Sequence, residues 1–450
     1  MNFKLSAYVI PSIISMVLVG TYTNIDGFFI GNATGDNGLA AINIVWPIVA
    51  FITSLGTGLG IGGSVILNKM RGTGDEVGAN KVKSTLLFLL VAVGALAGVL
   101  LSFTYEPLLK LMGAEGQVLV YACDYAKIVC LGALFQILGS GLVALLRNEQ
   151  KTYFSMACCI VGLVVHILLD IWLVEEYKLL GVAVSTVLSQ AVIMVLCLFA
   201  LYAKKTSASE TVAGEKTEKT WKKLFQSVEK KYILPILGAS TSPFGINFVP
   251  SVVLLFTNYF ALIVGDTAGV SAYAVMSYAV YTFDYIYQGV CDGVQPVLSY
   301  CCGADDKAGE KKALKYSATA LVIFTVAFIL LTPALIAVMP KLFAVSGTAQ
   351  EMMTSGFIIY AIAYPFKAVV KFVCSYFYAV GKTKPSNLLI YADPILFTPL
   401  FLIVLPMVMG MDGIWLAMTL AQVCVAALGS VAFLKTLKKP PVDCKNSLEN

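Results

Sequence analysis

A chain of 450 residues that is 58% hydrophobic and only 13% charged cannot hide its apolar side chains in one soluble core, because soluble domains are nearer half apolar and a quarter charged. The excess must face lipid, so the chain reads as an all-α integral membrane protein. A conventional soluble enzyme, a disordered chain and a nucleic-acid binder are excluded. The eleven cysteines are scattered and form no C-x-x-C, which argues against a zinc site. Met1 to Lys4 lead directly into an apolar stretch with no small-residue cleavage site, as a retained span would.

Twelve apolar stretches reach spanning length. In the first half they cover 5–31, 40–67, 86–103, 118–146, 154–174 and 179–202. In the second they cover 233–264, 269–300, 318–339, 352–380, 388–409 and 414–434. The basic residues follow the even-numbered spans: Lys69, Arg71, Lys81 and Lys83 after span 2, eight lysines between 204 and 231, and Lys307, Lys311, Lys312 and Lys315 after span 8. The opposite loops hold only Lys110, Lys178 and Lys341. By the positive-inside rule both termini are expected in the cytoplasm, with the chain in the cell membrane.

The two halves resemble one another. Shifted by 231, the segment 58–81 meets 289–312 with seven identities: Gly58, Gly62, Leu67, Gly72, Asp75, Gly78 and Lys81 fall on Gly289, Gly293, Leu298, Gly303, Asp306, Gly309 and Lys312. About one or two would be expected by chance at average usage. A nearby register aligns Gly31 and Gly35 with Gly265 and Gly269. The expected organisation is a six-helix lobe at 1–203, a cytoplasmic linker at 204–231, a second six-helix lobe at 232–437 and a tail at 438–450. Such parallel repeats place the substrate between the halves in known transporters. Within the linker, Trp221, Leu224, Phe225 and Val228 lie at helical spacing among lysines, the pattern of an amphipathic helix on the inner leaflet.

Gly58-x-Gly60-x-x-Gly63 matches the dinucleotide fingerprint, but it lies inside a span, where small residues at four-residue spacing instead let helices approach. No phosphate-binding P-loop occurs, so ATP is not the driving force, and no cofactor is called for. Charges inside spans are the informative residues, because each costs roughly 2.5–3.5 kcal/mol unless it faces a cavity or a partner. Asp26 on span 1 is five residues from the outer end, Asp170 on span 5 is four and His166 is eight. Thr186 is seven residues into span 6. At ~1.5 Å per residue these four lie at similar depth, a candidate proton or cation site. The alternative is a polar knot that holds the helices together. His166, the only histidine, shares a face with Asp170 and titrates near ~6.5 when unperturbed, which favours protons over sodium as the coupling ion.

The second half differs. On span 8, Ser277, Tyr281, Asp284, Gln288, Asp292 and Gln295 form a continuous polar stripe. On span 10, Tyr360, Tyr364, Lys367 and Lys371 do the same. Matched depths predict two ion pairs, Asp284 with Lys367 and Asp292 with Lys371. Asp284, Gln288, Asp292, Lys367 and Lys371 are candidate substrate-cavity residues, with structural pairing as the competing role for the lysines. Asp124 and Lys127 on span 4 are read as a local pair.

These residues resemble the MATE (multidrug and toxic-compound extrusion) family of the MOP flippase superfamily. The resemblance rests on Asp26-Gly-Phe-Phe-Ile-Gly31, Leu39-Ala40-Ala41 and Pro47. It also rests on Leu169-Asp170, on Gly181-Val-Ala-Val-Ser-Thr186, and on Gln288-Gly-Val-Cys-Asp-Gly-Val-Gln-Pro296 with Tyr300 and Gly303-Ala304. It implies twelve helices in two pseudo-symmetric lobes arranged as a V, and cation-coupled efflux. The first-lobe cation site, for H+ or Na+, would fall on Asp26, Asp170 and Thr186. Pro11 matches the proline at which span 1 of some members bends. Three positions depart from the family: His166 stands where Asn is usual, span 10 carries lysines where some members have a carboxylate, and Asp393 lies close to a common Arg position. The expected function is a monomeric antiporter, not an enzyme, that exports amphipathic small molecules. The alternative is a flippase for a lipid-linked intermediate.

Overall fold

The computed structural model describes residues 4–202, 227–343, 345 and 347–438. The expected amphipathic helix around Trp221 and most of the tail lie outside them. Among the described residues the chain is helical, without strands. Spans 1 and 2 are Ser6–Gly31 and Asn37–Gly72, and span 3 is Glu76–Leu111. Span 4 is a bent pair, Gly116–Leu131 and Ala133–Asn148, at 59°. Spans 5 and 6 are Thr152–Tyr177 and Leu179–Tyr202. Spans 7 and 8 are two limbs of Ile233–Gly303, separated where Asp266 leaves helical dihedrals. Span 9 is Lys307–Leu342, and span 10 is a second bent pair, Thr348–Ala361 and Ala363–Ala379, at 51°. Span 11 is Thr383–Met409 and span 12 is Met411–Lys438. The described helices thus make the twelve expected spans.

The bends have local causes. At Gly132 a Cβ would strike the Val187 side chain, and Gln136 Nε2 donates across the bend to Val129 O at 2.9 Å. Span 10 breaks three residues before Pro365, which has no N–H for the preceding turn and crowds its carbonyl. In span 11, residues Asp393–Phe397 form a π-turn. Pro394 removes a donor there, and the Thr398 N–H reaches back to Asp393 O. Pro11 is buried within span 1, whose run keeps helical dihedrals through it; the non-helical residue in Ser6–Gly72 is Gly35.

The repeat is written into the backbone. Residues with positive φ recur at the same shift of 231: Gly35 and Asp266, Gly74 and Asp305, Gly116 and Gly347, Gln150 and Gly381. Lys178 and Gly410 follow at 232. The 231 register therefore continues through the turn between the first two spans of each half, rather than the neighbouring register that aligned the glycines. The helix caps repeat as well. Asp75 Oδ1 accepts from Gly78 N at 2.8 Å, and Asp306 Oδ1 accepts from Gly309 N at 2.8 Å. A carboxylate in this place satisfies an orphan amide of the first turn.

By contacts the described chain forms two compact units. One holds 4–24, 245–298 and 306–438; the other holds 25–244 and 299–305. These boundaries fall inside spans 1 and 7 and near the end of span 8. In the first unit, a Cβ at Gly289 would lie 2.6 Å from Ile13 Cα, and one at Gly293 would lie 2.6 Å from Val9 Cα. In the second unit, a Cβ at Gly58 would lie 2.8 Å from Phe244 Cβ, and one at Gly62 would lie 2.6 Å from Ser240 Cα. Ile13 and Phe244, and Val9 and Ser240, are again 231 apart. The glycines of the false dinucleotide fingerprint are therefore helix-crossing points. Large aromatic side chains, among them Tyr125, Tyr273, Tyr360 and Trp415, are buried. Phe103, Trp172, Phe199 and Val408 stand on the outer surface, as lipid-facing side chains do.

Candidate functional site

In the second unit the expected acidic cluster forms. Asp26 comes from span 1, and His166 and Asp170 come from span 5. His166 Nε2 lies 2.7 Å from Asp26 Oδ1 and 3.2 Å from Asp170 Oδ2. All three residues are buried, His166 and Asp170 completely. Neither Asp170 oxygen accepts a hydrogen bond among the described residues. One ligand atom from each of the three residues lies within 4.8 Å of the others, so the group is compact enough to hold a small cation. The imidazole nitrogen stands within reach of both carboxylates.

Thr186 is buried on span 6, but its hydroxyl donates back to Val182 O at 2.9 Å, a bond that ties it to its own helix. Sequence reasoning missed Tyr125. Its hydroxyl reaches Asp26 Oδ2 at 3.4 Å from the fully packed interior of span 4. Asp124 and Lys127 make no ion pair among the described residues, contrary to expectation: Lys127 is exposed and Asp124 is half-buried. The useful residue of that turn was Tyr125, next to Asp124. An aromatic with a polar tip, at the depth of a buried acid, was the available signal.

The first unit holds a second polar group. Lys367 Nζ lies 3.1 Å from Asp284 Oδ1, the expected pair. Lys371 turns to the same acid, at 3.5 Å from Oδ2, rather than to Asp292. Asp292 instead accepts from Gln288 Nε2 at 2.7 Å and from the Tyr378 hydroxyl at 3.2 Å. Gln288 is one helical turn before Asp292 and reaches it first. The ammonium of Lys367 also stands 5.6 Å from the centre of the Tyr360 ring. Asp284, Tyr360, Lys367 and Lys371 border a cavity of about 810 Å³, its open mouth included, that also touches Tyr273, Tyr281, Asp393 and Gln422, whereas the expected cavity residues Gln288 and Asp292 are not on its wall. The role of Asp393 was not foreseen. The π-turn aims it at Thr398 Oγ1 (2.6 Å) and Gln422 Nε2 (2.8 Å), both of which donate to it.

A twelve-span helical bundle with a buried titratable cluster and a separate polar cavity is the architecture of a membrane transporter. Residues 11–172 match the model of the MatE family. Among curated proteins the chain is 27% identical over 320 residues to the multidrug export protein MepA of Staphylococcus saprophyticus, covering 70% of this chain and 68% of the relative. It is 24% identical over 298 residues to MepA of Staphylococcus aureus, covering 65% and 62%. Among solved structures it superposes on an outward-facing multidrug resistance MATE transporter with a TM-score of 0.87 at 20% identity, over 97% of this chain and 96% of the other. A MOP superfamily transporter of Pyrococcus furiosus gives 0.86 at 20% identity, over the same shares. The resemblance read from the sequence therefore holds: the chain carries the MatE match in its first half and the MATE fold along its length.

Proposed function

We propose that the protein exports amphipathic organic small molecules from the cytoplasm as a proton-coupled antiporter working by alternating access. The observation that carries this reading is the buried Asp26–His166–Asp170 cluster. Two carboxylates and an imidazole within hydrogen-bond reach act as one proton-binding unit. A buried ionisable cluster of this kind is costly unless it is used. Protons taken up from the outer side and released to the inner side change the charge of the cluster, and that change drives the exchange. The multidrug export relatives support the substrate class. The lysine distribution supports a cell-membrane location with both termini inside.

The test is transport by the purified chain in proteoliposomes, with pH and sodium gradients imposed separately. A pH gradient alone is expected to drive uptake of a fluorescent amphipathic organic probe, with an anionic and a cationic probe both tried. Strong transport driven by sodium alone at fixed pH would overturn proton coupling, and no gradient-driven transport at all would overturn the export reading.

A further inference from the structure

Spans 8 and 10 put two ammonium groups and one carboxylate on the wall of the first unit's cavity. Asp284 is claimed by Lys367 at 3.1 Å, and Lys371 reaches it only at 3.5 Å, beyond the usual N–H···O range. That is the ion pair Lys371 makes among the described residues, although its residue exposure is 8%. An ammonium group carries three donors, so Lys371 holds hydrogen-bonding capacity toward the cavity that Asp284 does not fill. The other nearby carboxylates do not fill it either. Both oxygens of Asp393 accept from neutral donors, Thr398 and Gln422. Asp292 is held by Gln288 and Tyr378. The remaining wall is largely apolar and aromatic, with Tyr273, Tyr281 and Tyr360 on it and Ser277, Thr398 and Gln422 as its other polar groups.

We propose that this cavity binds an amphiphile whose head is a carboxylate and whose body is aromatic. Lys371 is the first contact of the head and Lys367 the second. The body lies against the three tyrosines. This deepens the export reading, on which it rests, by naming the substrate class of this cavity. A cationic amphiphile meets two ammonium groups here, and of the two carboxylates on the wall Asp284 is paired with Lys367 while both oxygens of Asp393 already accept from Thr398 and Gln422. A carboxylate gains a charge-assisted partner that is desolvated and positioned before binding.

Equilibrium binding to the purified full-length protein in nanodiscs tests this without requiring transport. Three probes share one fluorophore: dansylglycine (a carboxylate), dansylglycinamide (uncharged) and dansylcadaverine (an ammonium). Dansylglycine is expected to bind saturably, and at least about 10-fold more tightly than either other probe. Lys371→Gln should weaken dansylglycine about 10-fold or more, Lys371→Arg should keep it, and neither should weaken dansylcadaverine. Equal or tighter binding of the ammonium or the neutral amide would overturn the proposal, and so would an unchanged dansylglycine affinity in folded Lys371→Gln. The three wild-type affinities decide the matter even if that variant does not fold. Failure of the export reading would show separately, as absent gradient-driven transport in proteoliposomes.

Discussion

Position 35 is glycine with φ 63° and ψ −151°, and its equivalent, Asp266, holds φ 50° and ψ −150°. That region of backbone space is nearly reserved for glycine, and another residue there stores about 1–3 kcal/mol. Glycine loses more chain entropy on folding, which offsets part of the gain. Asp266→Gly is therefore expected to stabilise the protein by about 1 kcal/mol, read as a higher melting temperature in detergent; a lower one would count against strain at this turn. Chemistry rather than strain governs the buried cluster. Asp26→Asn and Asp170→Asn each keep the shape of the side chain but replace one acceptor oxygen by an amide donor and lose the exchangeable proton. Each is expected to reduce gradient-driven efflux at least about 10-fold at normal expression; wild-type efflux by either well-expressed variant would remove the site from the mechanism. His166→Asn restores an oxygen donor where the imidazole nitrogen now separates the two acids. Its expected signature is a displaced pH profile and a gained response to sodium, whereas an unchanged profile with no sodium response would leave His166 a structural hydrogen-bonding residue.

At the scale of elements, paired helices meet where side chains are absent. A Cβ at Gly293 or Gly62 would fall 2.6 Å from the Cα of Val9 or Ser240, and backbone cannot rotate away as a flexible side chain can. Gly293→Leu and Gly62→Leu are expected to cost about 1–3 kcal/mol or more by overpacking, lowering the melting temperature, while Gly27→Ala, with open space around its Cβ, should leave it nearly unchanged. These crossings were legible as a repeat in the sequence, because the glycines recur at a fixed shift, but their partners were not. Nothing in the order of residues says that Val9 lies on Gly293. The span count, the two deep stripes and the acid–imidazole cluster could be read from hydropathy and helical spacing, since both depend on local periodicity. The partner of Lys371 could not. Depth along a helix axis placed it beside Asp292, but Gln288 and Tyr378 both donate to Oδ1 of that acid, and Lys371 turns to Asp284. Such competition is set by side-chain reach across helices. Tyr125 was missed for a related reason: a tyrosine in an apolar run looks like packing until the acid it meets is known. The π-turn that aims Asp393 depends on how the chain accommodates Pro394, which a 3.6-residue pattern does not encode.

At the scale of the whole chain, charge and repeat make one joint statement. Both halves begin after a lysine-bearing segment and carry six spans, so the positions related by the shift of 231 emerge on the same side of the membrane. The capped turns at Asp75 and Asp306 are such a pair, and each is surrounded by lysines and arginine: Lys69, Arg71 and Lys81 at the first, Lys307, Lys311 and Lys312 at the second. On the inner side of span 2, Arg71 Nη2 lies 3.0 Å from Glu149 and Lys83 Nζ lies 3.4 Å from it. Lys81 Nζ also meets Glu229, 2.5 Å away at the start of span 7. Hydrogen bonds from Lys81 and Lys231 hold the half-buried Glu229 carboxyl below its usual range. These basic residues resist translocation, and on the proposed topology they are expected in the cytoplasm. The turn at Glu115, between spans 3 and 4, then belongs outside, together with its equivalent near Gly347. The expected outcome is opposite accessibility of two engineered cysteines in intact cells: one replacing Thr217 is shielded from a membrane-impermeant maleimide until the cells are opened, and one replacing Glu115 reacts from outside. A chain from which the native cysteines have been removed supplies the background, so that only the introduced thiol reports. Labelling of the Thr217 position in sealed cells, or protection of the Glu115 position there, would invert the topology and with it the direction of export.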